Sequence, residues 1–184
     1  VRVLSEFPRA GDSQFIGMDL IQEATRREAS GTLYDPLIIG VDPARFGDDE
    51  FRISFRRGLD ARTIPSLGFR GLDNMQGAAR IAELNERYKP DAIFIDDGGQ
   101  GAGVLDRCRY LHLPVTGVTF GGKPDRGQVG QGGAISYANK RAEIWGLMKE
   151  WLRHGAIENA PQLVADLSAV EYGYKMVDGR DAII

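Results

Sequence analysis

Two aspartates in this sequence stand at the ends of apolar runs, and glycine-containing turns follow both. In Leu37-Ile38-Ile39-Gly40-Val41-Asp42-Pro43 the run stops at Asp42. In Ala92-Ile93-Phe94-Ile95-Asp96-Asp97-Gly98-Gly99 it stops at Asp96. Short apolar runs bounded by turn signals predict strands buried on both faces. Pro43 cannot donate to a sheet ladder, so the first strand should end at Asp42. A carboxylate at the carboxyl end of a buried strand lies where open α/β sheets place their chemistry. If the two strands are parallel neighbours, Asp42 and Asp96 share one sheet edge. Like charges that close favour a shared proton or a bound cation. Hard oxygen ligands suit Mg²⁺ or Mn²⁺. With a further acid, two such ions form the usual centre for phosphodiester hydrolysis. Asp48, Asp49 and Asp97 lie close by in sequence, and Asp49 and Asp97 are candidates for additional metal-binding acids. The plainer alternative is that each strand-terminal aspartate caps the helix that follows.

Other groups carry less. Gly98-Gly99-Gln100-Gly101-Ala102-Gly103 could cradle a phosphate at a helix N-terminus. It lacks dinucleotide spacing and a Walker Lys-Ser/Thr pair, so steric room beside the acids is preferred. Lys123 and Arg126 in the glycine-rich loop Gly121–Gly133, with Asn139, Lys140 and Arg141, could follow a DNA backbone; cations in loops are as often merely solvated. His112 and His154 have no ligand-spaced partner. Cys108 has no context that marks a nucleophile and reads as packing.

The elements that must position these residues alternate between strand and helix. Val1–Phe7 reads as a short strand, Pro8–Ser13 as a loop, and Met18–Ala29 as a helix with Met18, Ile21, Ala24 and Thr25 on its apolar face, closed by Ser30-Gly31. Residues 1–36 form a lead-in segment, and 37–184 the main domain. Phe51–Arg56 alternates strictly and predicts a half-buried strand. Arg62–Phe69 is a third strand despite Pro65, and antiparallel pairing is simplest for strands this close. Asp73 and Gln76 predict a capping box on a helix carrying Met75, Ala78, Ile81, Ala82 and Tyr88, stopped by Lys89-Pro90. The strand ending at Asp96, a helix over Val104–Leu111 and a strand over Val115–Phe120 imply parallel neighbours. Gly121–Gly133 should be a mobile loop. Ser136 should cap a helix over Tyr137–Arg153 with a stripe of Ala138, Ala142, Trp145, Met148 and Leu152, widened by Ile144 and Trp151. Pro161–Val170 reads as a short helix, Glu171–Val177 as a strand, and Asp178-Gly179 as a hairpin turn. The fold class expected is α/β, a mixed sheet flanked by helices.

The composition, 42% hydrophobic and 27% charged over 184 residues, is that of a globular domain. No apolar run approaches the length needed to span a bilayer, and the amino terminus has no signal-peptide pattern. It lacks an initiator Met, so a piece of a longer polypeptide is expected. One cysteine excludes an internal disulfide and points to an intracellular setting. The net charge of −3 argues against holding nucleic acid by bulk charge, and leaves room for acidic metal ligands with a local basic rim.

The motifs Gly40-Val41-Asp42-Pro43-Ala44-Arg45-Phe46-Gly47-Asp48-Asp49 and Ile95-Asp96-Asp97-Gly98-Gly99-Gln100-Gly101-Ala102-Gly103-Val104-Leu105-Asp106-Arg107 resemble the first two nuclease motifs of tailed-phage large terminase subunits. Tyr137–Trp145 resembles that family too, and Arg2–Arg27 resembles the stretch joining its motor domain to its nuclease. The resemblance implies a ribonuclease H-like nuclease that uses two Mg²⁺ or Mn²⁺ ions to cleave concatemeric double-stranded viral DNA during genome packaging. Asp42 is similar to the first metal-binding acid, Asp96 to the second, and Asp49 to a further acid of the first motif. The implied partners are duplex DNA, the packaging ATPase domain of the same polypeptide, the small terminase subunit and the portal protein, in the host cytoplasm. The family's third metal-binding aspartate falls after the hairpin at Asp178-Gly179. It is expected to be missing from this sequence, with Asp166 and Glu171 as poor stand-ins. A transposase or resolvase of the same fold, a non-catalytic docking module and an actin-like nucleotide-binding fold are the alternatives. The last lacks its second Asp-Gly-Thr/Ser turn.

Overall fold

The computed structural model describes residues 14–44, 50–126, 136–177 and 180–184. The expected strand over Val1–Phe7, the loop Pro8–Ser13, Asp48, Asp49, the glycine loop from residue 127 onward and the Asp178-Gly179 turn lie outside the described residues. In chain order the elements are α1 (Met18–Arg26), β1 (Leu37–Asp42), β2 (Phe51–Arg57), β3 (Asp60–Ala61), β4 (Leu67–Phe69), α2 (Asn74–Tyr88), β5 (Ala92–Asp96), α3 (Gly101–Tyr110), β6 (Val115–Val118), α4 (Lys140–Leu152), β7 (Ala156–Ile157), α5 (Pro161–Ser168), β8 (Tyr174–Val177) and β9 (Arg180–Ile183). They fall into two compact units. One comprises Glu28–Gly122 and Gly155–Ile157, and the other Val1–Arg27, Lys123–His154 and Glu158–Ile184.

The first unit holds a mixed sheet in the order β6-β5-β1-β2-β3-β7, with β4 also paired to β2. β1 and β2 are antiparallel, while β1, β5 and β6 run parallel. This is the α/β, ribonuclease H-like architecture expected. β1 ends at Asp42, directly before Pro43. A reciprocal bond pair fixes the start of the parallel pairing. Leu37 N–H donates to the Asp91 carboxylate at 2.7 Å, and Asp91 N–H to the Leu37 carbonyl at 2.8 Å.

The strands alternate, and this corrects the expectation of burial on both faces. Leu37, Ile39 and Val41 of β1 are buried, Asp42 is exposed, and Phe94 in β5 is 39% exposed. Their buried face meets Phe51, Ile53 and Phe55 of β2, Ile93 and Ile95 of β5, and the helices α2 and α3. Each such side chain contributes roughly 1.5–3 kcal/mol on burial. α2 begins with the predicted capping box of Asp73 and Gln76. Its buried face runs through Gly77, Ala78, Ile81 and Leu84, whereas Met75 is 53% exposed. Of the expected strand Arg62–Phe69, only Leu67–Phe69 is extended, as β4; the two-residue β3 precedes it, and Pro65 lies between the two.

The second unit packs α1 against α4 and α5 and carries the β8–β9 hairpin. α1 stops at Arg26, before the expected Ser30-Gly31, because Arg27 is already extended. The Arg27 guanidinium donates to the Leu152 carbonyl at 2.9 Å. α4 starts at Lys140 rather than after Ser136. The backbone of residues 136–138 is engaged by β9: Ile183 N–H donates to the Ser136 carbonyl and Ala138 N–H to the Ile183 carbonyl, both at 2.8 Å. Asn139 then caps the helix, accepting from Ala142 N–H at 2.9 Å. The residues α4 buries are Ala142, Glu143, Gly146 and Leu152, while Ile144 stays exposed. Glu171 makes an isolated bridge to Gln14 instead of starting β8.

Candidate metal centre

The register of β1 and β5 runs from Ile38↔Ala92 to Val41↔Ile95. One further step sets Asp42 level with Asp96, on strands about 4.8 Å apart. Side chains alternate, so both carboxylates lie on the face opposite Ile39, Val41, Ile93 and Ile95. Two anions side by side at a sheet edge create a potential that favours a cation. Their oxygens are hard donors, the kind Mg²⁺ and Mn²⁺ select. The residues present therefore fit such an ion. Among the described residues no cluster of three or more His, Cys, Asp or Glu side chains forms.

The loop after β5 holds Asp96 in place. Gly98 N–H donates to Asp96 Oδ1 at 2.9 Å, and Gly101 N–H to the Gly98 carbonyl at 2.9 Å. A methyl group on Gly101 would overlap the Asp96 carbonyl oxygen and lie 3.5 Å from Pro43 Cγ. Glycine is needed here because two strand ends and the first turn of α3 converge. Steric room accounts for Gly101, whereas at Gly99 a Cβ would meet nothing within 4 Å and a φ of 51° calls for glycine instead. Asp97 turns to β6: Thr119 Oγ1 donates to its Oδ2 at 2.7 Å, and Asp97 N–H donates to the Val118 carbonyl at 3.2 Å. Asp49 lies outside the described residues. Asp166 accepts from Gln162 within α5, and both Asp166 and Glu171 belong to the other unit.

Sequence reasoning missed what flanks Asp42 on its other side. β2 pairs Arg52 with Asp42, and β4 pairs Gly68 with Arg52. The Arg52 guanidinium donates to Glu50 Oε2 at 2.7 Å, and Arg70 Nε to Glu50 Oε1 at 3.3 Å. The strict alternation of Phe51–Arg56 places Arg52 on the polar face. Only the register shows that this face meets the acids.

The candidate DNA-contacting residues are all in the second unit, in differing surroundings. Lys123, Arg126 and Arg141 are exposed. Asn139 serves as the cap of α4. Lys140 is largely buried and bonds Asp125 at 2.8 Å and Glu143 at 2.6 Å. Glu143, 2% exposed, also accepts from Asp125 N–H at 3.0 Å and Arg126 N–H at 2.7 Å. It therefore anchors the start of the glycine-rich loop. Burial alone would raise the Glu143 carboxyl. The bonds from Lys140, Asp125 and Arg126 outweigh it and hold the carboxyl below its ordinary range. Burial opposes the charge on Lys140 as well, and Asp125 and Glu143 outweigh it and raise the ammonium.

No family model matches the sequence, and no curated protein matches it. Solved structures do match. The nuclease domain of the large terminase subunit of bacterial virus Sf6 superposes with a TM-score of 0.68 at 17% identity, covering 93% of this chain and 87% of that one. The large terminase nuclease of thermophilic phage G20c, solved with bound magnesium, gives 0.61 at 13% identity, covering 95% and 87%. The bacteriophage HK97 large terminase gives 0.56 at 12% identity, and the match covers 93% of this chain but 39% of that one. This chain has the fold of the phage large-terminase nuclease domains.

Proposed function

We propose that the chain is the nuclease domain of a phage packaging terminase, a divalent-metal-dependent endonuclease that cleaves double-stranded DNA. The observation that carries this reading is the register of β1 and β5, which sets Asp42 and Asp96 side by side at one sheet edge. The fold supports it, because relatives by fold are nucleases, one solved with bound magnesium and another with manganese. Asp42 and Asp96 would hold the ions, Mg²⁺ or Mn²⁺ and two in number, with Asp49 as a further acid; Asp97, bonded to Thr119, is turned away from them. The ions supply Lewis-acid stabilisation of charge on the phosphoryl oxygens. The chain's own residues do the rest. The Gly98 N–H orients the Asp96 carboxylate, the Gly101 turn holds β1 and β5 together at the acids, and Lys123, Arg126 and Arg141 contact the DNA backbone. The packaging ATPase domain, small terminase subunit and portal protein are its partners, and the host cytoplasm its place of action.

The test is cleavage of supercoiled plasmid in Mg²⁺ and in Mn²⁺ by the wild type, Asp42→Asn and Asp96→Asn. Both variants should lose nicking and linearisation while melting as cooperatively as the wild type. Full cleavage by either folded variant would remove that aspartate from the centre.

A further inference from the structure

We infer that Arg52 and Arg70 form a phosphate-binding pair for the nucleic-acid backbone at the acid edge, with Glu50 positioning both guanidinium groups. This rests on the nuclease reading above. Arg52 stands directly across from Asp42 on the same face of the sheet, so one row runs Asp96, Asp42, Arg52, Gly68 across four strands. Opposed residues of antiparallel strands have Cα atoms about 4.5–5.5 Å apart. The arginine is thus a direct neighbour of the acid pair.

β2 runs antiparallel to β1, so Glu50, two residues before Arg52, lies beyond the level of Asp42. The Arg52 guanidinium, bonded to Glu50, is therefore drawn toward the end of the sheet where the acids are. Gly68 leaves the space for this. A Cβ there would come 2.5 Å from Glu50 Oε2 and 3.4 Å from Arg52 Cζ. The bonds to Glu50 engage one nitrogen of each arginine, and a guanidinium has five N–H donors in a planar fork that suits phosphate. Two arginines on one carboxylate leave a net positive charge. The side chains remain accessible, at 46% for Arg52 and 67% for Arg70. A substrate phosphate approaching two carboxylates meets repulsion, and a fixed positive group beside them offsets it. A polyanion is the ligand such a rim fits.

The experiment measures binding of a short fluorescein-labelled DNA duplex by anisotropy, in Ca²⁺, over a salt series. Each phosphate that the protein ceases to neutralise reduces the slope of log K against log salt by about 0.9. Arg52→Gln and Arg70→Gln should each lower the slope by about that amount. The corresponding Lys variants keep the charge and should keep the slope. Arg109→Gln removes one charge on α3, behind the opposite face of the sheet, and should leave the slope unchanged. Glu50→Gln removes a negative charge and should tighten binding, while the guanidinium groups lose their anchor and plasmid cleavage should slow; wild-type cleavage would remove Glu50 from the positioning role. A wild-type slope in a folded Arg52→Gln, Arg70→Gln double variant would overturn the proposal. So would an equal fall in Arg109→Gln, which would reduce the effect to bulk charge. Failure of the nuclease reading looks different. Asp42→Asn would then cleave like the wild type whatever the salt slopes are.

Discussion

Replacing Gly101 with Ala would strain the junction on which the acid pair depends. The added methyl would overlap the Asp96 carbonyl oxygen, backbone rather than a side chain that can swing away. Either the first turn of α3 or the end of β5 must retreat by on the order of 1 Å to restore van der Waals distance. Overpacking of this kind costs about 1–3 kcal/mol. For a domain of this size the melting temperature should fall by roughly 2–12 °C. The retreat also separates Asp96 from Asp42, and a misplacement near 1 Å costs on the order of 100-fold in rate. Gly40→Ala is the control. It lies two residues before Asp42 on the same face, and a Cβ there meets nothing within 4 Å. Differential scanning fluorimetry and single-turnover plasmid cleavage in Mn²⁺ read the two effects. A Gly101→Ala protein with wild-type melting and wild-type rate would refute the reasoning, as would a Gly40→Ala protein as damaged as Gly101→Ala.

Three further outcomes follow from local structure. The Glu143 carboxyl is held below its ordinary range, so its stabilisation is fully present above its unfolded value of about 4.3 and is lost as pH falls through the lower folded value. Melting temperature should therefore drop on acidification, and less steeply in Glu143→Gln, which should be less stable than wild type at neutral pH. Burial pushes the Cys108 thiol up to about 11, so iodoacetamide should leave the native protein unlabelled at pH 8 and modify it on unfolding, as read by mass spectrometry. Asp73→Ala removes the capping box of α2 and should cost about 1 kcal/mol in urea unfolding.

Where the sequence is legible, a residue has one physical option. Pro43 must end a strand, so β1 stops at Asp42. Asp73 and Gln76 satisfy each other and the first turn of α2, and no nearby pair competes. Phe51, Ile53 and Phe55 alternate too strictly for a helix. The misreadings come where local signals compete and tertiary pairing decides. Ser136 and Asn139 are both good caps. Asn139 prevails because β9 takes the backbone at residues 136–138. The Leu37–Val41 run predicts burial on two faces, yet only one face is buried. Glu143 falls among apolar positions of α4 and gives no sign of being buried until Lys140 and the loop backbone are placed around it. β7 is two residues long, too short for any period. The acid pair is legible as two chemically similar strand ends. Arg52 beside it is not, because register is a property of two strands and is written in neither alone.

Cleavage is held to depend on a metal that Asp42 and Asp96 bind together. The most direct measurement is the anomalous difference density of a crystal of this chain soaked in Mn²⁺. A peak is expected between the Asp42 and Asp96 carboxylates, absent from an Asp42→Asn crystal soaked in the same way. Density at this edge that persists in Asp42→Asn, or an empty edge with manganese bound elsewhere, would contradict it.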